Sequence, residues 1–184
     1  MLRPLPRPAL LLALALTACA GPLAKLERAG DVTTARALLA AQAEQGPVPL
    51  VVDNPPPGLT PGEIARWLAE GVPALGVSFR PAAEAPEGEH LRLRFLGREQ
   101  ARGAPCSAGG DMGGPPELLL LAYCEGARSV ARVVAEPAQA GAEAWRRTLW
   151  AAARALFPDR YPEEYGFDLF GPRVRIGIGV ELGL

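Results

Sequence analysis

The chain has 184 residues, with 19 basic and 20 acidic side chains, a formal net charge of −1 and an apolar share of 49%. That length and apolar content suffice for one domain with a sizeable core, and the near-neutral balance excludes the strongly basic profile of a nucleic-acid binder. Twenty prolines and 21 glycines imply long loops, while the periodicity of the apolar residues argues for a folded domain and against disorder.

Arg3 and Arg7 precede an apolar run over residues 9–18, no acid comes before it, and it ends in Leu16-Thr17-Ala18-Cys19. A basic start, an apolar middle and a small-residue ending are the three parts of a secretory signal. The run falls well short of the ~20 apolar residues a membrane span needs. With its terminal Cys, the ending resembles the lipobox of bacterial lipoproteins.

The resemblance covers the first 20 residues and carries several implications. The chain is cut before Cys19, and the Cys19 thiol carries a diacylglycerol. That covalent lipid is the membrane anchor, and no other cofactor is expected. In Gram-negative members an Asp after the Cys retains the protein in the inner membrane. Ala20 stands there instead, which implies the outer membrane, facing the periplasm. The expected division is a signal peptide at 1–18, a tether at 19–30 and a periplasmic domain at 31–184. Removing Arg3 and Arg7 from the 19 basic residues leaves 17 against 20 acidic, a net charge of −3. This gives the mature chain no electrostatic attraction to anionic head groups.

Cys106 and Cys124 remain as an even pair in an oxidising compartment, so a disulfide is expected. It would close a loop of about 18 residues and stabilise by about 3 kcal/mol in the chain-entropy account. Two Cys with one distant His, His90, do not make a zinc pattern, and no metal site is expected.

After the tether, Asp31 reads as an N-cap, with Val32, Ala35, Leu38 and Leu39 at helical spacing to about residue 45. Residues 48–52 form a short β run. Thr60-Pro61-Gly62-Glu63 is a capping box with Pro at the first helical position. Ile64, Trp67 and Leu68 form that helix's buried stripe, and Gly71 is placed for a left-handed C-terminal turn. Leu75, Val77 and Phe79 alternate as a second strand. Leu91, Leu93 and Phe95 alternate with Arg92 and Arg94, predicting a strand with one wet face. A Gly-rich loop follows over residues 97–116.

Residues 118–123 are apolar on both faces and read as a central strand, in a hairpin with residues 128–135 through a tight turn at residues 124–127. Residues 142–156 make the longest helix, with stripes on two sides. Val174, Ile176, Ile178 and Val180 alternate as a last strand. Strands mostly follow strands, which predicts an α+β fold: a single domain whose largely antiparallel sheet has its helices packed on one face.

Catalytic constellations are missing from the pattern. His90 is the one histidine, no Gly-x-Ser-x-Gly elbow occurs, and His90 reads as a surface or edge residue. Residues 109–114 are Gly-rich but lack the Lys-Ser/Thr pair and following helix of a phosphate loop. The segment 157–170 interleaves Phe157, Tyr161, Tyr165, Phe167 and Phe170 with Asp159, Glu163, Glu164 and Asp168. Aromatic faces beside carboxylates bind sugar rings, and paired acids hydrolyse them; the bland reading is that the aromatics fill a core gap. In the last expected strand, Arg175, Gly177 and Gly179 lie opposite the apolar residues. The two glycines there leave a face open to a second backbone or make room for a covering helix.

The expected function is a non-catalytic, outer-membrane-anchored lipoprotein, a structural or assembly accessory that binds another envelope protein. A peptidoglycan-binding or glycan-cleaving module built on residues 157–170 is the alternative. The order of elements is similar to that of small periplasmic domains of outer-membrane assembly lipoproteins, an analogy without a shared motif.

Overall fold

The structure is a computed structural model that describes residues 25–102, 104–107 and 114–159. Their elements are β1 (Lys25–Gly30), α1 (Val32–Ala43), β2 (Val48–Asp53), α2 (Pro61–Gly71), β3 (Phe79–Ala82), β4 (Glu89–Leu96), β5 (Leu118–Glu125), β6 (Arg128–Glu136) and α3 (Ala142–Leu156). Six strands form one sheet in the order β1-β6-β5-β4-β2-β3. The pairings β1–β6, β6–β5 and β5–β4 are antiparallel, and β2 runs parallel to both β4 and β3. The chain is thus a single-domain α+β fold with a mostly antiparallel sheet and helices packed against it, as the order of elements predicts.

Helix starts follow from local chemistry. Asp31 Oδ1 accepts from the backbone N–H groups of Thr33 and Thr34, each at 3.0 Å, and starts α1. At α2 the Glu63 N–H donates to Thr60 Oγ1 at 3.3 Å and the Thr60 N–H donates to Glu63 Oε2 at 3.0 Å, a complete capping box. Such caps contribute about 1 kcal/mol each.

The apolar faces then set the layers. Val48 and Leu50 of β2, Leu91, Leu93 and Phe95 of β4, and Leu119, Leu121 and Tyr123 of β5 share a core with Val32, Ala35 and Leu39 of α1, Ile64 and Leu68 of α2, and Trp145, Leu149 and Leu156 of α3. Phe95 meets Trp145 edge to face, with ring centroids 5.2 Å apart. β4 and β5 sit in the middle of the sheet and are buried on both faces along nearly their whole length, as the run of leucines at residues 118–121 requires.

Four expectations need correction. The last six residues of the expected tether are β1, paired along its length with β6. Gly30 ends it at φ 88°, and a Cβ there would lie 2.4 Å from the Val130 carbonyl oxygen, so only glycine fits the turn into α1. Gly71 is not a left-handed stop. It is the last residue of α2, and a Cβ there would sit 3.0 Å from the Ala153 Cβ and 3.3 Å from the Trp150 Cα; its small size lets α2 close on α3.

Residues 75–78 are not a strand. Leu75 ends a 3-10 turn, Gly76 reverses the chain at φ 58°, and β3 begins only at Phe79. Pro81 within β3 is tolerated because β3 is an edge. Finally, the face of β4 that carries Arg92 and Arg94 is not wet: both residues are 5% exposed.

Candidate functional site

The site residues expected from the sequence divide into two sets. Cys19, the aromatic and acidic residues Tyr161, Glu163, Glu164, Tyr165 and Phe167, and Arg175, Gly177 and Gly179 of the last expected strand lie outside the described residues. Cys106 and Cys124 lie within them. Their sulfurs are 2.01 Å apart and their Cα atoms 5.7 Å apart, at disulfide distance. Phe157 opens the aromatic segment and is itself core: it is 1% exposed and meets Tyr123 edge to face at 6.1 Å.

The Cys106–Cys124 pair brings part of the loop between β4 and β5 onto the sheet face opposite the helices. That face is built by the period of two. Leu91, Leu93 and Phe95 point to the helices, so His90, Arg92, Arg94 and Leu96 point the other way. Asp53 ends β2 beside Arg94 in the parallel register.

Arg92 donates from Nε to Asp53 Oδ2 at 2.8 Å and from Nη2 to Asp53 Oδ1 at 3.3 Å. Its Nη1 donates to the Cys106 carbonyl at 3.4 Å. Arg94 Nε lies 3.5 Å from Asp53 Oδ2, and Arg94 Nη1 donates to the Ala104 carbonyl at 3.1 Å. Burial lowers the Arg94 pKa from its ordinary value; the Asp53 charge opposes this and the Arg92 charge adds to it. Asn54, at φ 52°, donates from Nδ2 to the Phe95 carbonyl at 3.1 Å and closes the end of β2 onto β4.

His90 lies on the same face, directly opposite Cys124 in the register, and is fully buried. The expectation of a surface histidine therefore fails. His90 Nδ1 is 3.0 Å from the Gly88 carbonyl. A carbonyl only accepts, so the proton sits on Nδ1, leaving a buried Nε2 without a hydrogen-bond partner among the described residues.

A second polar cluster sits at the margin of the helical face. The Tyr123 hydroxyl lies 3.3 Å from both Gln42 Oε1 and Glu89 Oε2, and Gln42 Nε2 donates to the Glu89 carbonyl at 2.8 Å. Burial, reinforced by the neighbouring Glu89 carboxylate, raises the Tyr123 pKa above its ordinary value.

These arrangements clasp elements together. Arg92 and Arg94 spend their N–H groups on a carboxylate and on loop carbonyls, and among the described residues no group of three or more His, Cys, Asp or Glu side chains gathers as a metal site would require. No described helix is long and apolar enough to cross a membrane. No sequence motif marks the Asp53–Arg92–Arg94 cluster as a site, although the even-numbered position of Cys124, on the face away from Leu119, Leu121 and Tyr123, signals that the loop covers the arginines. Comparison with protein-family models, with curated proteins and with solved structures found no match.

Proposed function

We propose that this chain is a non-catalytic accessory of the bacterial envelope, anchored by lipid on Cys19 in the outer membrane and facing the periplasm, where it binds another envelope component. The observation that carries the reading is the Leu16-Thr17-Ala18-Cys19 ending of the apolar N-terminal run. The Cys106–Cys124 pair at disulfide distance supports an exported chain, since such bonds persist in oxidising compartments. Asp53, with its side chain 20% exposed, is engaged by two guanidiniums, which supports a structural use of that acid.

Labelling with a palmitate analogue tests the anchor. The wild-type chain takes up label and fractionates with outer membranes, whereas Cys19→Ser leaves an unlabelled, unprocessed precursor. Equal labelling of the two contradicts the reading. For the non-catalytic part, incubation with purified peptidoglycan is expected to release no muropeptides. Release that disappears in Glu163→Gln or Glu164→Gln would establish the glycan-cleaving alternative.

A further inference from the structure

We infer that the outer edge of β1 is a docking edge for a second copy of this chain, joined antiparallel about a two-fold axis at Leu26. β1 is the terminal strand of the sheet, and all six of its residues are exposed. The Asp31 N–H donates to the Val130 carbonyl at 3.0 Å, which fixes the alternation of the ladder. Odd-numbered residues direct their backbone groups to β6, and Leu26, Arg28 and Gly30 direct theirs outward. The described residues hold no partner strand on that side. Such an edge is a template for strand addition.

Symmetry selects the register. A two-fold axis normal to the sheet keeps each face on its own side, so each residue meets one on the same face. Centring the axis on Glu27 opposes two carboxylates. Centring it on Arg28 opposes two arginines and sets Leu26 against Gly30; the Asp31 that then faces Lys25 already caps α1 through its carboxylate. Centring it on Ala29 sets Glu27 against Asp31. Centring it on Leu26 sets Lys25 against Glu27 of the second copy, and Glu27 against its Lys25.

Those two ion pairs fall at positions where backbones do not exchange hydrogen bonds and side chains approach most closely. Neither Lys25 nor Glu27 has an ion pair among the described residues. On the opposite face the axis brings together two copies of Leu26, the exposed large apolar residue of the described chain at 40% exposure. Charge and apolar surface are thus both satisfied by one register, and the interface is isologous.

The test uses the full chain in membranes with a mild copper-catalysed oxidant. In this register paired Leu26 Cα atoms sit about 5.5 Å apart, within disulfide reach. Leu26→Cys is expected to give a crosslinked homodimer well above the wild-type background, and Arg28→Cys is not. Adding Lys25→Glu to Leu26→Cys opposes like charges twice and is expected to lower the yield about tenfold. Adding Glu27→Lys as well restores it. The wild-type lane reads any background from Cys19 itself, so failure of the lipid anchor and failure of the docking edge are told apart. A Leu26→Cys yield no higher than wild type, a stronger Arg28→Cys crosslink, crosslinking only to a different protein, or no rescue by the charge exchange would each overturn the inference.

Discussion

The Arg92 guanidinium takes both oxygens of the Asp53 carboxylate, at 2.8 Å and 3.3 Å, and passes a further N–H to the Cys106 carbonyl. One side chain therefore joins two parallel strands and the loop that lies over them. Arg94 shares the same carboxylate. Removing the carboxylate leaves two guanidiniums buried without it. Asp53→Asn is expected to destabilise by up to about 3 kcal/mol, the low end of the range for a broken buried pair, because the Asp53 side chain is 20% exposed. Urea denaturation measures this; an unchanged midpoint would show that the loop-covered face tolerates the charge.

The Cys106–Cys124 pair fastens the same loop through its sulfurs. Replacing both residues with Ser is expected to cost about 3 kcal/mol, from the entropy that the closed loop removes from the unfolded chain. Thiol titration of the unfolded, non-reduced protein checks the pairing itself. Neither Cys106 nor Cys124 should react, and two reactive thiols would show that the pair is unbonded.

Gly71 and Gly62 lie in the same helix and predict opposite outcomes. At Gly71 a branched side chain meets Ala153 and the Trp150 backbone, so Gly71→Val is expected to lose about 1–3 kcal/mol by overpacking. A Cβ at Gly62 has nothing within 4 Å. Gly62→Ala is expected to gain about 0.4–1 kcal/mol by restricting the unfolded chain. Equal effects at the two positions, read from thermal unfolding, would contradict the close approach of α2 and α3.

Tyr123 gives a pH dependence. Its folded pKa is raised above the ordinary value of 10.0 by burial first and by Glu89 second. The unfolded chain gives up the phenolic proton near that ordinary value while the folded chain keeps it. This contribution to stability is therefore fully present below pH 10 and is lost as pH rises through the folded group's higher value. Tyr123→Phe should flatten the alkaline fall. Phenolate absorbance that tracks Tyr123 near pH 10 in the folded chain would contradict the burial.

Most of the architecture was legible because it is written locally. Asp31, the Thr60–Glu63 box and the Leu118–Leu121 run each announce an element through chemistry that acts within a few residues. What was not legible depends on distant contacts. Nothing in Lys25–Gly30 itself distinguishes a tether from an edge strand; its pairing is set by β6, more than 100 positions later. Arg92 and Arg94 alternate with apolar residues as a wet face would, and only the loop's return to Cys124 buries them. Gly71 has the spacing of a helix stop, but the space it leaves is filled by Ala153 and Trp150. The pair Cys106–Cys124 was the one site feature legible at long range, because compartment and parity are properties of the sequence alone. The remaining candidates, from Tyr161 to Gly179, lie outside the described residues.

The proposed location rests on the lipid on Cys19. Intact mass spectrometry of the gene product, extracted from membranes in detergent, reads that lipid without an intermediate step. The chain is expected to begin at Cys19, with a mass increased by a diacylglycerol and fragment ions that place the addition on that residue. A chain that retains Met1, or one that is processed but carries an unmodified Cys19 thiol, would contradict it.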